Sequence, residues 1–161
     1  MASTSGRSRR SVADLLVVAQ SVAGAALLWP GRGRWRLPRP VATGCVVALA
    51  AGGALAGEGV RALGRDLTPF VAPRDGAALR TGGVYRLSRN PVYAGLLVAG
   101  AGLAVLRRRP EPLAAFAALA TVFHLKVGVE QTRLRARFGA EYDAYAARTP
   151  KLLGLPSRGP R

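Results

Sequence analysis

The feature that most constrains this chain is a series of four apolar runs that contain almost no charge. They are Leu15–Trp29, Val41–Gly57, Val92–Leu106 and Pro112–Val129. A helix needs about 20 residues, with a range of about 17–25, to cross the hydrocarbon core of a bilayer, so each run reaches that length only with its flanks. The alternative is four buried helices of a soluble bundle, but a soluble helix of this length needs a polar face. The runs therefore predict about four transmembrane helices.

The basic residues lie between these runs and not on one face of a folded core. The chain of 161 residues has a net charge of +16, with 24 Lys and Arg against 8 Asp and Glu. Its arginines cluster at 7–10, 32–39 and 107–109. A nucleic-acid-binding domain needs its basic side chains on one surface, whereas loops between membrane helices carry such clusters. The pattern indicates an all-α, multi-pass integral membrane protein and argues against nucleic acid as a partner.

The first run follows an arginine-rich start, as the apolar part of a signal peptide does. It ends in WPGRGRWR, which offers no clear small-residue cleavage site, so we expect a retained helix. Four spans put the N-terminus, the polar segment between runs two and three, and the C-terminus on one side. The positive-inside rule favours the cytoplasm for that side, although the bias is modest because the loops expected outside are also basic.

The same patterns divide the chain into four parts. We predict a disordered basic N-terminus at 1–10, helices 1 and 2 within 11–60, a polar segment with helices 3 and 4 over 61–150, and a basic tail at 151–161. Gly53 and Gly57 form a small-xxx-small pair that would let helix 2 pack closely on a neighbour. Helix 3 is expected to start at Pro91, a favoured first helical residue, with Ser88 or Asn90 as its cap.

The last helix is expected to continue beyond the membrane as an amphipathic segment. Leu134, Phe138, Tyr142 and Tyr145 recur at helical spacing on one face of this segment. Such a face suits the membrane surface. The alternative is a helix that packs on the polar segment, and the two arrangements are compatible.

Several chemistries are excluded by what the sequence lacks. One His and one Cys are too few for a Cys/His zinc site or for a disulfide within the chain. No G-x-S-x-G nucleophile motif is present. We therefore expect no metal and assign no catalytic nucleophile. An enzyme with this sequence would act by positioning two bound reactants.

Polar residues at the membrane edge are the remaining candidates for function, since ionisable groups at membrane depth are costly. Lys126 and Glu130 are four residues apart and share a face of helix 4. Arg89, Asn90 and Tyr93 stand at the start of helix 3, which the topology puts on the same side. The two groups would converge on one pocket. The alternative is a snorkelling lysine, a surface ion pair and a capping asparagine.

Two motifs, in order and in this membrane context, resemble a known family. The segment TPFVAPRDGAALRTGGVYRLSRNPVYAG is followed by E-x-x-x-L-x-x-x-FG-x-x-Y-x-x-Y from Glu130 to Tyr145. Both are similar to the isoprenylcysteine carboxyl methyltransferases and their phospholipid methyltransferase relatives. These are small integral membrane enzymes that use S-adenosylmethionine. The resemblance covers about 65–150, and so identifies 61–150 as a methyltransferase-like catalytic region with its cofactor loop on the cytoplasmic side.

The resemblance implies a role for each residue that matches the family motifs. One set would bind the cofactor S-adenosylmethionine: Leu79, Arg80, Tyr85, Asn90, Pro91, Tyr93 and Glu130. A second set, Lys126 and Arg89, would bind a lipophilic small-molecule or lipid acceptor. A carboxylate can hold the amino group or ribose hydroxyls of such a cofactor, and the N–H groups at a helix start can hold its carboxylate.

Two positions depart from the family pattern. Asn90 stands where the family has histidine, and Gln131 stands where it has a second acidic residue. Asparagine keeps donor and acceptor capacity but does not titrate near neutral pH. The leading interpretation is a methyltransferase of the isoprenylcysteine carboxyl type. The alternatives are a phospholipid N-methyltransferase and a non-catalytic four-helix membrane protein with a degenerate motif.

Overall fold

The protein, in a computed structural model, is described over residues 4–64 and 78–154, with side chains from residue 14 onward. These residues form four α-helices and a 3₁₀ turn, with no β-strand among them. The elements are α1 (Thr4–Leu28), α2 (Arg39–Leu63), the 3₁₀ turn (Gly83–Arg86), α3 (Pro91–Leu106) and α4 (Pro110–Arg148). The predicted all-α architecture is confirmed. Positions 65–77 of the predicted cofactor loop and 155–161 of the predicted tail lie outside the described residues.

Three of the four helices begin at or next to a proline, and two helix boundaries differ from the predicted ones. Each of α2, α3 and α4 has a proline in its first two positions, where the missing N–H costs no hydrogen bond. α1 begins at Thr4, inside the segment expected to be disordered, because arginine is a good helix former and no proline interrupts the run. α2 extends to Leu63, beyond residue 60, where the range predicted for helices 1 and 2 ends.

The apolar surface of the helices faces outward. α2 and α4 are long and apolar enough to cross a membrane, and only 11% and 28% of their apolar stretches are buried within the protein. Val46 and Val47 on α2 and Leu125 on α4 are more than half exposed. A soluble bundle would bury this surface, so the exposure favours contact with lipid. The apolar parts of α1 and α3 are shorter, and their crossing of the membrane stays a prediction.

α2 and α3 pack with their backbones in close contact. Gly52 on α2 lies against Gly95 on α3, and a Cβ at Gly52 would come within 2.5 Å of the Gly95 carbonyl oxygen. The predicted pair, Gly53 and Gly57, is wrong: a Cβ at either would meet no described atom within 4 Å. Small residues do permit the close approach. The helix face that contacts α3, however, contains Gly52 and not the neighbouring Gly53.

α1 packs on α4, and side chains from α3 complete their core. The buried core residues are Ala23, Leu27, Ala104, Leu119 and Phe123. Phe123 also contacts the ring of Tyr93, with ring centroids 5.0 Å apart. This core fixes α1 beside Lys126 of α4.

Arginines close the end of the bundle where α1 finishes and α4 begins. Arg107 donates to the carbonyl oxygens of Leu28 and Trp29, and Arg109 donates to that of Trp29 at 2.7 Å. These carbonyls end α1 and have no partner within the helix, and the positive charge suits the helix C-terminus. An open groove of about 620 Å³ beside Trp29 and Arg109 lies at this end, far along α4 from Glu130.

Candidate functional site

The start of α3 is shaped by the 3₁₀ turn and the three residues before Pro91. Gly83 has a φ of 57°, a left-handed conformation that glycine adopts without strain. The chain then buries Ser88, Arg89 and Asn90, which are 0%, 7% and 6% exposed. The Ser88 hydroxyl accepts a hydrogen bond from the Asn90 backbone N–H at 3.0 Å. A polar sequence is thereby held in the interior at the mouth of an apolar helix.

Four hydrogen bonds join this turn to the end of α4 and the residues that follow it. They run from Tyr145 Oη to the Tyr85 carbonyl (2.6 Å), from Arg89 Nη1 to Tyr142 Oη (3.3 Å), from the Arg89 backbone N–H to the Pro150 carbonyl (2.9 Å) and from Asn90 Nδ2 to the Lys151 carbonyl (2.7 Å). We call these four contacts the clasp. The clasp fixes the motif around Pro91 against the second motif on α4, although the two are far apart in sequence.

Asn90 occupies the N-cap position of α3, but neither it nor Ser88 caps the helix. No side chain makes a capping hydrogen bond there, so the predicted capping role is wrong. The Asn90 amide donates instead to Lys151 in the clasp. The N–H groups in the first turn of α3 therefore have no side-chain cap, and N–H groups of this kind can receive an anionic group.

The amphipathic end of α4 packs on the protein. α4 bends at Gly139, which has a φ of 50° and a ψ of −125°. Beyond the bend, Tyr142, Tyr145 and Ala146 form a buried cluster. Leu79, Leu134 and Phe138 pack around that cluster. Of the two arrangements that the sequence left open, this contact corresponds to packing on the polar segment.

Lys126 points into the protein and not toward the membrane surface. Its side chain is 1% exposed. Its ammonium donates to Gln20 Oε1 on α1 at 2.6 Å and lies 5.7 Å from the centroid of the Tyr93 ring. The snorkelling alternative for this lysine is therefore wrong. A cation in this place needs polar or aromatic partners, and α1 and α3 supply them.

Glu130 lies one helical turn beyond Lys126 and is half-buried. Its carboxylate interacts electrostatically with Lys126 and with Arg133 on the same helix. It also interacts with the hydroxyls of Tyr85 and Tyr93. The start of α3 and the middle of α4 thus meet at Tyr93 and Lys126, with Glu130 one turn further along α4.

The other predicted residues border this region in different ways. Leu79 is half-buried against Tyr142 and Tyr145, while Arg80 is exposed and interacts electrostatically with Tyr85. Pro91 is buried and lies against Gly59 of α2. Leu79 and Arg80 therefore stand at the clasp, whereas the ring of Pro91 contributes to helix packing.

Tyr85 keeps its proton at neutral pH. Burial, reinforced by the negative charge of Glu130, raises the pKa of the Tyr85 hydroxyl to about 12, because both disfavour the phenolate. Arg80 acts in the opposite direction, to a smaller extent. The hydroxyl is therefore a constant hydrogen-bond donor beside Glu130.

Sequence reasoning missed three parts of this site. Gln20 interrupts the first apolar run, and an amide in such a run is a signal that was available. Tyr142 and Tyr145 were assigned to an amphipathic face, and nothing in their spacing indicates hydrogen bonds to residues 85–89. The contact with the Lys151 carbonyl could not be predicted, because every residue has a backbone carbonyl and the sequence does not show which one accepts a hydrogen bond.

The groups gathered here suit binding more than bond cleavage by the protein. They are a carboxylate, an ammonium, tyrosine hydroxyls and uncapped helix N–H groups. Among residues 4–64 and 78–154, no three His, Cys, Asp or Glu side chains group as a metal ion would need. Such a set can hold a zwitterion that carries hydroxyls next to a second, anionic molecule.

Known proteins are similar in sequence to more than half of this chain. A rice protein (Oryza sativa subsp. indica) named "Probable protein-S-isoprenylcysteine O-methyltransferase" is 36% identical over 108 residues, which are 62% of this chain and 56% of the rice protein. "Protein-S-isoprenylcysteine O-methyltransferase B" of Arabidopsis thaliana is 33% identical over 96 residues, 58% of this chain and 48% of that protein. The chain thus spans about half the length of the curated relatives it matches.

A family model matches a similar share of the chain, and the matched region contains both helices and candidate site residues. The model described as phospholipid methyltransferase matches residues 41–141, from the start of α2 to the last turns of α4. This region includes the 3₁₀ turn, Lys126 and Glu130. Since the match exceeds half of the chain, and as the resemblance predicted, the protein belongs to the phospholipid methyltransferase family.

Proposed function

We propose that this protein is an integral membrane methyltransferase that transfers a methyl group from S-adenosylmethionine to a lipophilic acceptor, in the manner of the isoprenylcysteine carboxyl methyltransferases. One observation carries the proposal: Glu130 and Lys126 on α4 meet Tyr93 at the start of α3. The family resemblance implies cofactor and acceptor contacts at these same positions. The family membership and the names of the relatives support it.

The residues fit the cofactor. In this proposal Glu130 binds the amino group or the ribose hydroxyls of S-adenosylmethionine, and the uncapped N–H groups of α3 bind its carboxylate. Tyr85, Leu79 and Arg80 line the wall beside it. The cofactor supplies a methyl group on a positively charged sulfur. The protein supplies alignment, which by itself can account for a large part of the rate.

The acceptor enters from the bilayer. In this proposal Lys126 binds its polar end, and Arg89 is the second cation on that side, 3.3 Å from Tyr142 Oη. A prenylated cysteine combines an apolar tail with a carboxylate. The exposed apolar surface of α4 matches the tail, and a buried ammonium matches the carboxylate.

We further propose that all four helices cross the membrane and that the site faces the cytoplasm. The outward apolar surface of α1 supports a span in spite of its shorter apolar part, since Leu15, Val18 and Val22 are each more than half exposed. α1 packs antiparallel to α4, which is long and apolar enough to cross a membrane, so a span of α4 would carry α1 across as well. The positive-inside rule supports the cytoplasm as the side that holds the site.

Two other functions have one observation each in their favour. The matched family model is named for phospholipids, which favours an amine of a lipid headgroup as acceptor. The clasp engages Asn90, where the resembling family has histidine, and this favours a non-catalytic relative. Each of them gives a distinct result in the assay that follows.

The test is methyl transfer by the purified protein in lipid nanodiscs, with S-adenosylmethionine labelled on its methyl group. The acceptors are an N-acylated S-prenylcysteine and, separately, phosphatidylethanolamine. A methyl ester releases labelled methanol in base, whereas an N-methyl group does not. Base-labile label on the prenylcysteine is the expected result. Base-stable label on the phospholipid would identify the amine acceptor, and absence of transfer and of cofactor binding would support the non-catalytic alternative.

A further inference from the structure

α1 contributes a polar contact to the proposed site although it precedes the region that the family model matches. Gln20 lies in the apolar part of α1, and the matched region begins at residue 41. Its Oε1 accepts a hydrogen bond from the ammonium of Lys126 at 2.6 Å. The contact lies beside the apolar core that α1 and α4 share, so a role beyond packing needs to be considered.

The chemistry of the partner matters more than its presence. A buried ammonium is costly unless hydrogen-bonded, and a carboxylate partner would satisfy it by cancelling its charge. The Gln20 amide oxygen is neutral. It therefore fixes the direction of the ammonium while adding no negative charge at that point.

The position of the ammonium links Gln20 to the proposed site. Lys126 Nζ lies 5.7 Å from the Tyr93 ring centroid, and Tyr93 packs on Phe123. Glu130, the residue proposed for the cofactor, is one turn further along α4. The cation thus lies between Gln20 of α1 and Tyr93 of α3, one turn of α4 from the proposed cofactor ligand.

We propose that Gln20 is a positioning residue that holds the Lys126 ammonium as the recognition group for an acceptor carboxylate, so that α1 is part of the active site. This inference rests on the proposed methyltransferase function. It assigns the selection of an anionic acceptor over a neutral one to a contact made by α1.

The test compares two probes that differ in one group, an N-acylated S-prenylcysteine and its carboxamide. Binding of each to the full-length protein in nanodiscs is measured by competition against a labelled prenylcysteine, in parallel with methyl transfer. The variants are Gln20→Leu, which removes the acceptor oxygen, and Gln20→Glu, which keeps it and adds a negative charge. Ser21→Ala is the matched control, because the exposed Ser21 bonds only to the Val17 carbonyl among described contacts.

Wild-type protein and Ser21→Ala are expected to bind the carboxylate about tenfold more tightly than the carboxamide, as a charge-assisted contact provides. Both Gln20 variants should lose most of that preference, by a higher KM for the carboxylate, with the KM for S-adenosylmethionine unchanged. The unchanged KM also shows that the variants are folded. A merely structural hydrogen bond would survive in Gln20→Glu, so a wild-type carboxylate preference in that variant would overturn the proposal.

The two proposals fail in different ways. A wild-type protein that binds the carboxylate selectively but transfers no methyl group would overturn the methyltransferase function and leave the recognition site supported. A wild-type protein that methylates the prenylcysteine, with both Gln20 variants unchanged in KM and in preference, would overturn the role of Gln20 and leave the function supported.

Discussion

Asn90 is the residue at which the proposed cofactor binding and the observed structural support meet. Its Nδ2 donates to the Lys151 carbonyl, and the side chain is 6% exposed. A histidine can donate from a ring nitrogen in the same direction, whereas leucine has no donor. The clasp therefore gives a physical reason why asparagine can stand where the resembling family has histidine. Neither the clasp nor cofactor binding requires this residue to titrate.

We predict that Asn90→His keeps methyl transfer within about tenfold, or ~1.4 kcal/mol. Asn90→Leu leaves the Lys151 carbonyl without its donor in a partly buried place, a loss of about 1–3 kcal/mol. It should lower thermal stability and raise the dissociation constant for S-adenosylmethionine. Calorimetry and a labelled-methyl assay measure both. An inert wild type that becomes active as Asn90→His would establish the non-catalytic alternative.

We also predict that Glu130→Ala weakens binding of S-adenosylmethionine. The carboxylate is half-buried between α3 and α4, and a hydrogen bond to a charged group at such a place contributes about 1.5–3 kcal/mol. Glu141→Ala is the matched control, because Glu141 is exposed on the last part of α4. Equal affinities for wild type and both variants in calorimetry would remove Glu130 from the site.

At the scale of elements, the contact between α2 and α3 depends on glycines that leave no room for a side chain. A Cβ at Gly52 would come within 2.5 Å of the Ala99 nitrogen as well as of the Gly95 oxygen. Both are backbone atoms, which cannot move aside as a flexible side chain would. The close approach is therefore a property of this one helix face.

Gly52→Ala should destabilise the protein, and Gly53→Ala should not. The first change overpacks the α2–α3 contact, at a cost of about 1–3 kcal/mol. The second adds a methyl group where no described atom lies within 4 Å and gains up to about 1 kcal/mol of helix propensity. Thermal unfolding in detergent micelles compares the two directly. Equal midpoints for the two variants would show that the α2–α3 contact does not limit stability.

The elements and the meeting of the two motifs could be predicted from sequence, but the faces that join them could not. Apolar runs and prolines located all four helices. The predicted topology put Tyr93 and Glu130 on the same side of the membrane, which led us to expect them in one region. The Gly52–Gly53 pair, however, is ambiguous by one residue, and one residue turns a helix face by about 100°. Only the position of α3 decides between the two glycines. Gln20 was likewise missed because its partner, Lys126, lies on a helix far away in sequence.

At the scale of the whole molecule, the basic loops at the end opposite to the site have a structural use. Arg107 and Arg109 donate to the carbonyl oxygens that end α1. Arg34 pairs with Glu111 at 2.6 Å. These arginines are therefore engaged in closing the bundle. The positive-inside rule would count these arginines against placing the opposite end in the cytoplasm. Because they are needed to close the bundle, they are weaker evidence on topology than their number suggests.

The structure joins the helix ends in a way that makes the membrane topology testable. The Arg34 backbone N–H donates to the Arg108 carbonyl at 2.7 Å, which keeps the α1–α2 and α3–α4 connections at one end. The clasp keeps the start of α3 and the end of α4 at the other.

In cells that carry the chain with Cys45 replaced by Ala, we expect Ser5→Cys and Leu155→Cys to react with a membrane-impermeant thiol reagent only after permeabilisation. Gly33→Cys, at the arginine-closed end, should react in intact cells. Labelling of positions 5 and 155 from opposite sides would contradict four spans, because an even number of crossings must leave both ends on the same side.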